Sequence, residues 1–146
     1  MTGVWETVPR IAYFIACFMV GTFMGSFISV LAYRIPHNEQ WVRGHSHCPA
    51  CGHQLGVLDL VPVWSYVFLR GRCRYCGARI GTRYLWTELV AGGLFAGIGW
   101  VLGWSVDALK IGIMTVLALA VGIIDFETGL VPDALVLPGA AIGVAF

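Results

Sequence analysis

The sequence predicts an all-α polytopic membrane protein with three full transmembrane helices, the start of a fourth, and a polar loop carrying four cysteines between the first two spans. Three observations carry that expectation. Of 146 residues, 58% are hydrophobic and only 12% are charged, about half the ~25% charged content of an average soluble domain, and the mean hydropathy is +0.80. Apolar runs close to the ~20 residues that a spanning helix needs recur along the chain. Seven of the nine Lys/Arg residues (Arg34, Arg43, Arg70, Arg72, Arg74, Arg79 and Arg83) fall together, so one polar module interrupts the membrane part. This composition excludes a soluble globule and a disordered chain, and a net charge of +1 leaves no basic footprint for nucleic acid.

The elements follow in order. Residues 1–35 hold an N-terminal segment and the first span, whose core at 11–31 has no charged residue. It is too long for the apolar region of a signal peptide, ~7–15 residues, and no small-residue cleavage site follows it. Residues 36–83 form the polar module. Residues 84–104 are the second span, with Glu88 its only charge in the apolar run and Trp86, Trp100 and Trp104 near its ends, where interfacial tryptophans sit. Residues 105–124 are the third span, with Lys110 near enough to one end to snorkel. Residues 125–146 carry Asp125, Glu127 and Asp133 and then a fourth apolar run, whose 13 residues after Asp133 fall short of the ~17–25 needed to cross. That run is expected either to re-enter the membrane or to begin a helix of a longer protein. An Arg-rich loop of this size stays on the cytoplasmic side, which puts the N-terminus outside.

The module contains C-P-A-C-G at 48–52 and C-R-Y-C-G at 73–77, two C-x-x-C pairs separated by 21 residues. Each pair sets two thiolates on one metal, and the glycine after each supplies a permissive turn. Cys48, Cys51, Cys73 and Cys76 are therefore expected to hold one zinc ion. Four thiolates fill a tetrahedral zinc and leave no place for water, so the metal is structural, stapling a loop too small to build its own core. Disulfides are the alternative and need an oxidising compartment. His47 and His53 flank the first pair, and Cys17 reads as a small core residue of the first span.

Ionisable groups in a spanning helix are costly, which makes Asp125, directly after an apolar run, the candidate catalytic carboxylate. Asp133 follows Pro132 and reads as a helix N-cap, while Glu127 reads as a solvated residue of the connection. Peptide hydrolysis by carboxylates ordinarily uses a pair sharing one proton, and the chain offers one good candidate. Glu88 is a partner by position or a helix-packing contact. The Gly21–Gly25 pair has the spacing that lets helices approach closely.

Taken together, G-S-F-I-S-V-L-A-Y-R-I-P at 25–36, both cysteine pairs, D-L-V-P-V-W-S-Y at 59–66, L-R-G-R-C-R at 69–74, R-Y-L-W-T-E-L at 83–89 and I-D-F-E-T-G-L-V-P-D at 124–133 resemble the prepilin leader peptidase family. These are membrane aspartic peptidases of the bacterial inner membrane that mature type IV pilins and pseudopilins. The resemblance implies that Asp125 is the first catalytic aspartate and that 34–83 is the cytoplasmic zinc-binding region. It also implies a second activity, N-methylation of the new pilin N-terminus with S-adenosylmethionine, to which Gly25 and Glu88 are assigned as substrate or methyl-transfer residues. Ser29 stands where the family usually has Asn, and the family's second aspartate, in a G-x-G-D motif on a later helix, does not occur here. The chain is thus expected to be the N-terminal part of the enzyme and inactive alone. The implied partners are prepilin substrates, membrane lipid and pilus or secretion assembly proteins. A non-catalytic zinc-stapled module that binds pilin precursors or assembly proteins, and a structural subunit packing through its spans, are the competing readings.

Overall fold

The structure, a computed structural model, describes residues 10–37, 45–129 and 131–145. The N-terminal segment before residue 10, Arg43, Leu130 and Phe146 lie outside the described residues. The elements are α1 (Arg10–Arg34), a 3-10 turn (Val57–Leu60), α2 (Trp64–Phe68), α3 (Thr82–Leu102), α4 (Val106–Thr128) and α5 (Asp133–Ala145). Among the described residues no strand occurs, only two isolated bridges in the cysteine module. Helices α1, α3 and α4 are long and apolar enough to cross a membrane. With 25, 21 and 23 residues, they reach roughly 31–38 Å against a hydrocarbon core of ~30 Å.

The bundle is built on an antiparallel contact between α1 and α3. Small residues make it possible, because apolar side chains gain little by leaving lipid for one another and helices instead associate by close backbone packing. A Cβ at Gly21 would lie 2.5 Å from the Ala91 carbonyl oxygen and 2.7 Å from Gly92 Cα, and one at Gly25 would lie 2.7 Å from Glu88 Cα. The glycine pair noted in the sequence is therefore the centre of the seam. Cys17 extends it by packing on Gly99. At the far end, aromatic rings close the contact, with Tyr13 against Trp104 at 6.0 Å and Phe14 edge-on to Trp100 at 6.3 Å.

Helix α4 starts at a Ser105 cap, whose hydroxyl accepts the Ala108 N–H at 3.0 Å, and Lys110 lies 3.8 Å from Asp107 in an i,i+3 ion pair. It continues past the expected end of the third span to Thr128, so that Asp125 and Glu127 both fall in its last turns. Gly129 stops it in the left-handed conformation at φ 65°, donating its N–H to the Asp125 carbonyl at 2.8 Å. Near this end Ile28 and Leu31 of α1 and Ala120 of α4 form a buried cluster, with Ile123 of α4 and Leu135 of α5 packed on it. In α5 the Pro132 carbonyl accepts the Val136 N–H at 3.2 Å, so Pro132 takes the capping position and Asp133 opens the helix itself. Asp133 thus lies in the first turn, near the positive end of the helix dipole, rather than at the capping position expected for it.

Candidate functional site

The two cysteine pairs fold into the same hairpin. In the first, the Cys48 N–H donates to the His53 carbonyl at 2.9 Å, Gly52 to Cys48 at 2.8 Å and Leu55 to Ser46 at 2.8 Å. In the second, Cys73 donates to Ala78 at 2.8 Å, Gly77 to Cys73 at 2.9 Å and Ile80 to Gly71 at 2.8 Å, each partner 25 residues further along. Gly52 and Gly77 adopt φ 70° and 72°, the left-handed conformation that lets the chain reverse in each hairpin. The four Sγ atoms lie within 4.8 Å of one another, with Cys48 and Cys73 buried and Cys51 and Cys76 exposed. No histidine belongs to the cluster.

Chemistry of the donor set fits a metal. Tetrahedral Zn–S bonds of ~2.3 Å place sulfurs about 3.8 Å apart, and Cys48 Sγ and Cys76 Sγ are 3.8 Å apart. The backbone N–H groups of Cys51 and Ala50 hold the Cys48 thiol down at about 7, while at Cys76 the Ala78 amide also favours the thiolate but is outweighed by desolvation and by hydrogen bonds to Cys51, Cys73 and Cys48, which push it up to about 11. A bound cation would favour the thiolate at both sulfurs, with the proton released to solvent.

Asp59, in the 3-10 turn, ties this centre to the rest of the module. Its Oδ2 accepts from the Gly56 N–H and the Tyr75 hydroxyl, both at 3.1 Å, and its Oδ1 lies 2.8 Å from Arg74 Nε. Hydrogen bonding to Asp59 and desolvation raise the Tyr75 hydroxyl pKa. The Tyr75 ring also packs on His53 at 3.6 Å, so one side chain from the second hairpin touches both the first hairpin and the turn. Nothing in the local sequence signals this role of Asp59, because Arg74 and Tyr75 meet it only once the module folds.

Glu88 joins the module to the helices. It is 8% exposed, and its Oε2 accepts the Val63 N–H at 2.6 Å, with Ser26 of α1 as a further hydrogen-bond partner. Val63 has φ 62° and ψ −52°, and the Trp64 N–H donates to the Pro62 carbonyl at 2.6 Å. That is a γ-turn of the strained hand, in a β-branched residue that rarely adopts positive φ. Such a turn persists where its surroundings over-determine it. Here buried Pro62 and the Glu88 carboxylate do so.

At the same end of the bundle, Arg83 Nε of α3 lies 2.5 Å from Glu127 Oε1 of α4. Glu127 is therefore exposed as expected, but it is an interhelix ion-pair partner in the last turns of α4 rather than a residue of the connection. Asp125 is two residues away on the same helix, exposed, with Ile124 before it fully buried. The structure thus brings the four cysteines together and Gly25 against Glu88, while Asp125 makes no ion pair or side-chain hydrogen bond among the described residues.

The chain matches the family described as the bacterial peptidase A24 N-terminal domain over residues 19–102. A prepilin leader peptidase/N-methyltransferase of Myxococcus xanthus is 34% identical over 94% of this chain and 40% of its own length. Another, of Pseudomonas putida, is 37% identical over 91% of this chain and 54% of its own length. One of Klebsiella pneumoniae is 35% identical over 88% of this chain and 59% of its own length. The chain spans about half the length of the curated relatives it matches. No solved structure matches it. The matched region takes in the α1–α3 seam, both cysteine hairpins and the Glu88 contact, and on that match the chain belongs to the bacterial peptidase A24 N-terminal domain family.

Proposed function

We propose that these residues form the N-terminal part of a membrane aspartic endopeptidase that removes the leader from type IV prepilins and pseudopilins at the cytoplasmic face of the inner membrane. One observation carries the reading to a residue. Of the other acids described, Asp59 meets Arg74 and Tyr75, Glu88 meets Val63, Glu127 meets Arg83 and Asp107 meets Lys110, while Asp133 opens the short helix α5; Asp125 alone stands exposed and unpaired among the described residues at the end of a spanning helix. A carboxylate free of partners is available to share a proton with a second one, and two carboxylates so coupled titrate apart, one as base toward water and one as acid toward the carbonyl. By family resemblance the second aspartate comes from a later helix.

The bound ion in this reading is zinc on Cys48, Cys51, Cys73 and Cys76, and it contributes rigidity. The Arg-rich module faces the cytoplasm and the N-terminus faces outward. Methyl transfer from S-adenosylmethionine is the second activity the resemblance implies, with Gly25 and Glu88 as its substrate or methyl-transfer residues. Glu88 Cα would sit 2.7 Å from a Cβ on Gly25, so the same two residues also hold α1 against α3.

The test uses the complete enzyme carrying this segment. Asp125→Asn is expected to abolish prepilin cleavage with zinc content and prepilin binding retained, and purified residues 1–146 to bind zinc and cut nothing. Normal cleavage by Asp125→Asn, or robust cleavage by residues 1–146, overturns the assignment of Asp125 to a carboxylate pair completed by a later helix.

A further inference from the structure

The module presents an apolar face that neither the metal centre nor the carboxylate explains. Trp64, Val67 and Phe68 follow the i, i+3, i+4 spacing of one helical face, with the Trp64 and Phe68 rings stacked at 6.1 Å. Phe68 is 77% exposed, and in the 3-10 turn that packs on α2, Val57 is 84% and Leu58 71% exposed. Aromatic and aliphatic side chains grouped this way on a polar module mark a contact with something apolar.

The attachment of α2 says what covers it. Glu88 lies six residues into α3, roughly 9 Å inside the helix end at ~1.5 Å per residue. The Val63 N–H bonded to it immediately precedes α2. Gly25, packed on Glu88, is nine residues before the end of α1, about 14 Å by the same rise. The headgroup layer is only about 5–8 Å thick per leaflet. The module therefore does not stand above the bundle. Its α2 is latched beside the spanning helices at or below headgroup depth, where an outward apolar face meets lipid. Charge agrees with this. Arg70 and Arg72, directly after α2, are exposed and have no carboxylate partner among the described residues.

We propose that α2 and the 3-10 turn are an interfacial lipid anchor, in which Trp64, Val67 and Phe68, with Val57 and Leu58, enter the headgroup–acyl boundary and Arg70 and Arg72 engage anionic headgroups. The anchor rests on the reading of α1, α3 and α4 as membrane spans. An in-plane element of this kind draws on both apolar burial and attraction to anionic lipid. It fixes the metal hairpins at a set height over the bilayer, next to the end of α4.

Photo-crosslinking tests it. The protein is reconstituted in vesicles of phosphatidylethanolamine and phosphatidylglycerol with p-benzoylphenylalanine at Phe68, at Phe23 on the exposed side of α1, or at Gln54 in the first hairpin; Val67 is a second anchor site in case position 68 disturbs folding, which retained metal content monitors. Phe68 is expected to give phospholipid adducts within about threefold of Phe23 and about tenfold above Gln54. The Arg70→Gln/Arg72→Gln variant is expected to lower the phosphatidylglycerol share of the Phe68 adduct by about threefold or more. Adducts at both 68 and 67 no higher than at Gln54, with Phe23 labelled, overturn the anchor, as does crosslinking to added prepilin in place of lipid. An unchanged phosphatidylglycerol share overturns the arginine contacts. Failure of Phe23 itself to label overturns the membrane spans instead, so the two failures are distinguishable.

Discussion

The cysteine centre and the carboxylate end of α4 lie at the same end of the bundle, yet they are stabilised in opposite ways. Around the sulfurs everything is paired within the module: hairpin amides, Asp59 against Arg74 and Tyr75, and the His53–Tyr75 contact. At α4 the acid of interest is exposed while its neighbour Glu127 is tied to Arg83. A structural metal site gains by being closed, because any open position admits water or an exchanging ligand. A hydrolytic carboxylate must stay open to a second carboxylate, water and a peptide. In the proposed reading, the difference separates what holds the molecule from what it acts with.

The sharpest way to break this contrast is to exchange its two halves by mutation in the complete enzyme. Asp125→Asn is expected to lower the cleavage rate by roughly a thousandfold or more, as loss of one member of a cooperating catalytic set does, with zinc unchanged in elemental analysis. Cys73→Ser, at a buried ligand, is expected to release most of the zinc, since metal binding and folding of such a module are one free energy. Amide exchange over residues 45–80 should speed up while the spanning helices stay protected. Zinc loss from Asp125→Asn, or full metal in Cys73→Ser, collapses the distinction.

Smaller effects sharpen it. Gly25→Leu forces the α1–α3 seam apart and is expected to cost about 1–3 kcal/mol, read as a lowered melting temperature in detergent. Glu88→Gln keeps an oxygen to accept the Val63 N–H, so cleavage should survive far better than in Asp125→Asn; equal loss would move Glu88 into the reacting pair. Least of all, Glu127→Gln removes an ion pair whose side chains are 34% and 29% exposed, worth up to about 1 kcal/mol after solvent screening.

What the sequence made legible follows from the range of the forces involved. Spans, the cysteine set and the glycine seam are encoded in local spacing: apolar runs, C-x-x-C pairs and the Gly21–Gly25 interval each state their purpose within a few residues. The roles of Asp59, Glu88 and Glu127 are not, because each is defined by a partner brought close only by folding. The ion pair of Glu127 was hidden because nothing near it in sequence carries a positive charge, whereas its partner Arg83 is 44 positions away on another helix. Val63 gave no signal at all, because a valine at positive φ is something local preference argues against and only the Glu88 carboxylate and buried Pro62 impose.

The matched hydrogen bonds of the two cysteine hairpins have one more consequence. Two halves built to one register around two matched pairs of sulfurs form a centre nearly indifferent to a half-turn, so a metal alone would accept the module facing either way. The degeneracy is broken by what each loop carries between its ligands. Pro49 and Ala50 offer no charge and no hydroxyl, whereas Arg74 and Tyr75 both reach Asp59. Two side chains thus give a symmetric joint its polarity, and the sense in which the hairpins meet the bundle is written in them rather than in the ligands.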